Sequence, residues 1–245
     1  MRILISNDDG YLAPGINALI DVLSPIAEIA VCAPDSNRSG ASNSLTLERP
    51  ISVYQSERGF YYTTGTPSDC VHIALTGLLP WRPDLVVSGI NHGMNVGEDT
   101  LYSGTVAAAM EAYLFGIPAI AFSQAERGWR DLDSAARCAR SLVERLYSAL
   151  PKPFLLNVNI PNRAYDQIGP PVATRLARRH HSEPVLRTQD PFGRDMYWIG
   201  PTGPFKDGGE GTDYHAVRHG NVSVTPLRYE MTNDALLDTL GGVLS

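Results

Sequence analysis

The stretch Arg2-Ile3-Leu4-Ile5-Ser6-Asn7-Asp8-Asp9-Gly10 (RILISNDDG) decides how this chain reads. Arg2–Ser6 is a short apolar run, and it breaks on four residues that favour turns. That is the pattern of a buried parallel strand delivering a polar loop. Pro14–Leu23 follows with Ile16, Leu19, Ile20 and Leu23 at helical spacing, and Pro25 closes it. Glu28–Ala33 is a second strand. The start of the chain is therefore a strand–helix–strand unit, which calls for a right-handed crossover and a parallel sheet.

Outward from this unit the alternation continues. Pro34–Ser44 is a polar loop, and Ile51–Gln55 with Phe60–Thr64 reads as a hairpin. Thr66-Pro67-Ser68-Asp69 starts a helix, with Thr as cap, Pro first inside and an acid two residues on, predicted to run to about Leu79. Asp84–Ser88 is a strand ending in the loop Gly89–Asp99. Ser103-Gly104-Thr105 opens an Ala-rich helix to about Leu114, and Pro118–Ser123 is a strand. Leu132, Ala135, Ala136, Ala139, Leu142, Val143, Leu146 and Leu150 mark a long amphipathic helix, followed by a strand over Phe154–Ile160. The expected fold is α/β: a Rossmann-like, doubly wound, mostly parallel sheet over residues 1–161.

Past Pro161 the texture changes. Pro170, Pro171, Pro184 and Pro191 interrupt short β-like runs, and Gly208-Gly209-Glu210-Gly211 is a flexible loop. Val222–Thr225 reads as a strand and Thr232–Leu240 as a terminal helix. Residues 162–245 are expected to be an extension of hairpin and helix. It cannot bury a core alone, so it completes the core or is exchanged between subunits.

The bulk properties narrow the function. At 245 residues the chain suits one α/β domain or a core with an appendage, and a formal charge of −6 disfavours binding to a nucleic-acid polymer. The densest basic run, Arg175, Arg178, Arg179, His180 and His181, is a solvated surface or a local phosphate contact. Cys32, Cys70 and Cys138 lack metal or disulfide spacing, and Cys32 and Cys70 read as buried thiols. No apolar stretch is long enough to span a membrane, and the expected location is cytoplasmic.

In parallel sheets, ligands bind beyond the carboxyl ends of the strands. The loops there are Asn7–Gly10, Pro34–Ser44, Gly89–Asp99 and the segment from Ser123. Asp8 and Asp9 would point apart on a strand, but a loop can turn both to one point. Carboxylates so close repel unless a proton or cation lies between them, and oxygen ligands suit Mg²⁺, Mn²⁺ or Ca²⁺. Taken alone, the tetrapeptide reads first as a turn with a helix cap. Ser39-Gly40-Ala41-Ser42-Asn43 can ligate metal, cradle phosphate, or be an ordinary loop. Asn91 offers a neutral oxygen and Asn95 an amide donor, while His92 is a candidate base or a plain loop histidine. Ser103-Gly104-Thr105 is an anion site at a helix start, or simple capping. Cation ligands and anion cradles on one sheet edge are what phosphate-ester hydrolysis needs: a metal lowers the pKa of water and neutralises phosphate charge.

The chain resembles the survival protein E (SurE) family of 5′/3′-nucleotidases. The matching stretches include RILISNDDG at 2–10, APG at 13–15, APDSNRSGASNSLTL at 33–47, GTPSDCV at 65–71 and DLVVSGINHGMNVGEDTLYSGTVAAAMEA at 84–112. NVNIP at 157–161, YWIGP at 197–201 and GTDYHAV from 211 continue the match. Asn221, where an aromatic is usual, and Tyr113 depart from the pattern. The resemblance implies phosphate removal from nucleoside monophosphates, and from short polyphosphate. It implies one divalent cation held by Asp8, Asp9, Ser39 and Asn91, with Asp8 and Asp9 catalytic. It implies a phosphate pocket lined by Asn43, Asn95, Ser103, Gly104 and Thr105, and a homodimer or homotetramer. Three rivals fit less well. A phospho-aspartate phosphatase needs D-x-D, where position 10 is Gly. A receiver domain needs a strand-end Lys, and a dinucleotide-binding oxidoreductase needs G-x-G-x-x-G.

Overall fold

The computed structural model describes residues 1–126, 128–179, 184–200 and 203–244. The elements in chain order are β1 (Arg2–Ser6), α1 (Pro14–Leu23), β2 (Glu28–Pro34), β3 (Val53–Gln55), β4 (Tyr61–Thr63), α2 (Pro67–Ile73) and β5 (Leu85–His92). Then come α3 (Gly104–Leu114), β6 (Ala119–Gln124), α4 (Leu132–Ala149) and β7 (Leu155–Ile160). The later chain adds β8 (Gly169–Ala173), β9 (Arg178–Arg179), β10 (Leu186–Gln189), β11 (Asp195–Trp198) and β12 (Phe205–Asp207). It closes with α5 (Asp213–Arg218), β13 (Asn221–Pro226) and α6 (Asp234–Leu244).

Among the described residues a nine-stranded sheet runs in the order β3-β4-β2-β1-β5-β6-β7-β13-β8. Pairing is parallel from β4 through β7 and antiparallel at β3–β4 and β7–β13. From β1 the chain moves outward to β2 on one side, then returns to β5 on the other. The reversal of strand order lies beside β1, and that is where a doubly wound sheet opens a crevice at its carboxyl edge.

Strand alternation divides the core in two. Ile3, Ile5, Leu85, Val87, Ile120, Phe122, Leu156 and Val158 face α1 and α4. Leu4, Val86, Ala119, Ala121 and Leu155 face α2 and α3, whose Ala108, Ala109 and Ala112 let that layer approach closely. Toward the carboxyl edge the second face turns polar but stays buried, through Ser6, Ser88, Ser123, Asn157, Asn159, Ser223 and Thr225. In this band Ser123, Asn157 and Asn159 bond the Asn95 loop and Thr225 bonds Thr174, whereas the Ser6, Ser88 and Ser223 hydroxyls and Asn157 Oδ1 find no partner among the described residues.

Several expectations shift in detail. The strand read over Asp84–Ser88 continues to His92, with a register irregularity between Ser88 and Asn91 before Asn91 and His92 pair with Ser123 and Gln124. The glycine-rich stretch still has backbone groups to satisfy, and β6 satisfies them. The helix from Pro67 is α-helical only to Ile73, then widens into a π turn over Ala74–Leu78. Leu79 turns extended ahead of Pro80. From the later chain, β13 and β8 join the main sheet, while β10 and β11 form a separate exposed hairpin. The terminal helix buries no residue. Cys32 and Cys70 are buried free thiols. No described helix is long and apolar enough to cross a membrane. Of the basic run, Arg175 pairs with Asp207 and Arg179 with Asp99; His180 and His181 lie outside the described residues.

Gly15 sets how closely α1 lies on β5. A Cβ there would stand 1.9 Å from the Ile90 carbonyl oxygen. Gly15→Ala is expected to lower stability by about 3 kcal/mol, the upper range for overpacking. Urea unfolding checks this: an unchanged midpoint would contradict so close a crossing.

Candidate metal and phosphate site

The site begins with a division of labour inside Asn7–Gly10. Asn7 is wholly buried. Its side-chain amide donates to Gly10 O at 2.8 Å, and Gly10 N–H donates back to Asn7 Oδ1 at 3.2 Å. Asn7 thus makes the turn, and neither aspartate is needed for it.

Asp8 is buried against the start of α3. The Thr105 hydroxyl and backbone N–H both donate to its carboxylate. The positive helix end therefore faces a negative side chain of β1's loop. Only a glycine at 104 permits this approach, since a Cβ would stand 2.7 Å from Asp8 Cβ. Asp9 is half-buried and accepts from Asn37 Nδ2 and from the His92 backbone N–H, each at 3.3 Å.

Other bonds draw the loops together. Arg38 N–H donates to Asp8 O at 2.7 Å, and Ser42 Oγ donates to Leu101 O at 2.7 Å. The loop after β2 thus spans from β1's end to the approach to α3. Ser39 is exposed on it, its N–H donating to the same Asn37 side chain that reaches Asp9. Asn91 stands one residue before His92, its amide nitrogen spent on Gly93 O at 2.8 Å while its oxygen remains available. Asn43 is exposed on the same loop as Ser39.

Four residues read as candidate phosphate or proton handlers, Asn95, Ser103, Thr105 and His92, have partners within the fold. Asn95 is buried, and its amide nitrogen donates to Ser123 Oγ at 2.8 Å. Thr105 gives its hydroxyl to Asp8, while Ser103 accepts from Val106 N–H at 3.1 Å as the helix cap. The His92 ring stacks on Trp129 with centroids 4.4 Å apart, and its Nε2 accepts from Gly128 N–H at 2.7 Å. With that lone pair occupied, His92 is a brace between two loops rather than a base.

Reading the sequence missed the supports beneath. Asn159 accepts from Asn95 N–H at 2.8 Å and donates to Asn95 O at 2.9 Å, and Asn157 donates to the same oxygen at 2.8 Å. The polar–apolar alternation of Leu155–Ile160 carried a signal of this. From the extension, buried Asp213 accepts from Gly97 N–H at 2.9 Å and Ala177 N–H at 2.8 Å, so the later chain pins the loop between β5 and α3. No local pattern announced that.

Electrostatics separates the pair from ordinary surface acids. Burial raises the Asp8 pKa from 3.8 to about 6, against the Thr105 hydrogen bond and helped by the Asp9 charge. Burial raises Asp9 as well, with the His92 N–H opposing. Among the described residues no basic side chain forms an ion pair with either acid. Nor does any group of three His, Cys, Asp or Glu gather among them, so a cation here would complete its shell from neutral oxygens. Two adjacent carboxylates in no ion pair among the described residues, with Ser39 and Asn91 on the neighbouring chain segments, fit a hard divalent cation.

Comparison with known proteins meets this geometry. The description of survival protein SurE matches residues 3–183. The crystal structure of SurE protein from Aquifex aeolicus is similar over 100% of both chains, at 41% identity and a TM-score of 0.89. The chain belongs to the SurE family. SurE membership supports a nucleotidase or phosphatase role in general. The structural likeness runs through the extension, beyond the residues the SurE family description matches.

The raised Asp8 pKa has a stability consequence. Between 3.8 and about 6 the folded chain holds a proton that the unfolded chain releases. Metal-free stability therefore falls as pH rises through that window, by about 3 kcal/mol in all. Asp8→Asn keeps an acceptor for Thr105 and removes the charge. In chelator at pH 7.5 it is expected to unfold at higher denaturant than wild type, with the gap closing near pH 4. A less stable variant at pH 7.5 would mean that the carboxylate serves the fold.

Proposed function

We propose that this chain is a metal-dependent phosphomonoesterase. It hydrolyses nucleoside 5′-monophosphates, and 3′-monophosphates with them, to nucleoside and phosphate, and acts on short-chain polyphosphate. The observation that carries this is the pair Asp8 and Asp9, raised in pKa, in no ion pair among the described residues, against the start of α3. An acid pair held by neutral donors and no counter-charge among the described ion pairs, at a sheet's switch point, is a place prepared for a ligand.

Asp8, Asp9, Ser39 and Asn91 hold one divalent cation per subunit, Mg²⁺ or Mn²⁺ in function, with Ca²⁺ able to occupy the same oxygens. Bound there, such a cation lowers the pKa of water and screens phosphate charge. The chain supplies the rest. Asn43, Asn95 and the Ser103-Gly104-Thr105 turn line the phosphate pocket, where the helix end stabilises charge growing on the phosphoryl oxygens. Thr105 fixes the Asp8 carboxylate, and the acid pair takes up the proton lost by the attacking water. The loop braces, Asn37 and His92 on Asp9 and Asn159 under Asn95, hold these groups before substrate arrives.

The assembly is a homodimer or homotetramer in the cytoplasm. Support for association comes from the exposed apolar side chains of the later chain. Trp198 is 65% and Ile199 90% exposed by the hairpin, and Leu236, Leu240 and Leu244 are exposed on α6. A second subunit would cover such surface.

The test is phosphate release across a panel of nucleoside 5′- and 3′-monophosphates, after EDTA treatment and again with Mg²⁺ or Mn²⁺ restored. Activity should vanish with EDTA and return with metal. No release from any monophosphate with any metal would end this reading.

A further inference from the structure

At the same sheet edge as the acid pair, toward β7, lies a polar cavity of about 320 Å³. It opens beyond the carboxyl ends of β6 and β7. Ala125 stands directly after β6, and Asn162 and Arg163 just after β7. Met94 reaches it from the loop that follows β5 and Asn91 and also carries Asn95, so the cavity adjoins the candidate site. Its charge is one-sided, because Arg130, Arg163 and Arg218 line it against the single carboxylate of Glu126.

The arginines differ in what they already hold. Arg130 bonds Asp131 and the Asn162 carbonyl at 3.0 Å, which fixes it to the floor. Asn162 is buried, its side-chain oxygen taken by Gln124 and the Asp131 N–H. Arg163 and Arg218 are exposed and enter none of the ion pairs formed among the described residues. In a chain of net charge −6, two uncommitted guanidiniums facing one concavity call for an anion from outside.

We propose that this cavity is a subsite for a second phosphate on the leaving-group side of the substrate, held by Arg163 and Arg218. The proposal rests on the phosphomonoesterase reading of Asp8 and Asp9. β5 and β6 separate β1 from β7, and strands lie roughly 4.8 Å apart. The cavity is thus two to three strand spacings, roughly 10–14 Å, from the acid pair. A substrate extended along the sheet edge reaches both places, and a plain monophosphate reaches one. Planar guanidinium forks match phosphate oxygens in pairs and stay charged at any working pH.

Two sources share this chemistry: a 5′-phosphorylated dinucleotide and inorganic tripolyphosphate. The experiment measures kcat/KM for each, relative to a nucleoside monophosphate, in wild type and in Arg163→Ala/Arg218→Ala. The ratio should fall about tenfold for whichever substrate the subsite serves, as expected for losing charge-assisted hydrogen bonds. Arg163→Lys/Arg218→Lys should restore part of it. Separately, tripolyphosphate binding to EDTA-treated protein is followed by calorimetry, where wild type should bind at least about tenfold more tightly than the alanine variant. Unchanged ratios for both substrates, together with equal binding, would overturn the subsite. Were no monophosphate hydrolysed by wild type, the catalytic reading would fail while the binding comparison still judged the cavity.

Discussion

The structure at the carboxyl edge depends on one uncomfortable contact: two adjacent carboxylates, one of them buried, that enter no ion pair among the described residues. Asp8 can be kept there because α3 presents Thr105 and its positive end, and because Gly104 has no side chain to block the approach. Neither contact fully offsets the cost of burial, which is why the carboxyl pKa rises to about 6. A fold optimised for stability alone would place a neutral side chain at this position. Retaining the charge trades stability for affinity toward something positive, the usual signature of a functional rather than a structural group.

The surrounding fold distributes that strain. Asn7 forms the turn, the loop after β2 is tied to Asp8 O through Arg38, and the β5 end reaches Asp9 through the His92 N–H. Each loop is in turn braced from a distance. His92 is stacked on Trp129, Asn95 is clasped by Asn157 and Asn159, and Gly97 is held by Asp213. The extension beyond the first 161 residues is therefore part of the site's scaffold, since it contributes β13 to the sheet and Asp213 to the loop.

What could be read from the sequence follows the range of each signal. RILIS and NDDG declare a strand and its turn through local hydrophobicity and turn chemistry, and the strand–helix alternation carried the layered fold. Local patterns faltered where partners are remote. Asp213 lies 116 residues from Gly97 and Asn159 lies 64 from Asn95, so neither role has a local trace beyond an odd polar residue in a strand. His92 stayed open between a base and a plain loop histidine because its ring partners, Gly128 and Trp129, come from the loop after β6. The bond from Thr105 to Asp8 was not legible either, because a hydroxyl at a helix start has many possible partners and only the tertiary approach of Asp8 selects this one. β5 overran its expected end for a related reason: pairing of Asn91 and His92 with β6 outweighed the turn preference of Gly89.

The central claim is that the acid pair exists to hold a divalent cation. Its most direct test is a Mn²⁺ titration of the EDTA-treated, dialysed chain, with free Mn²⁺ read by electron paramagnetic resonance. The account predicts a single tight site per chain, lost in Asp8→Asn and in Asp9→Asn and weakened in Ser39→Ala and Asn91→Ala. Wild-type stoichiometry and affinity persisting in both aspartate variants would contradict it.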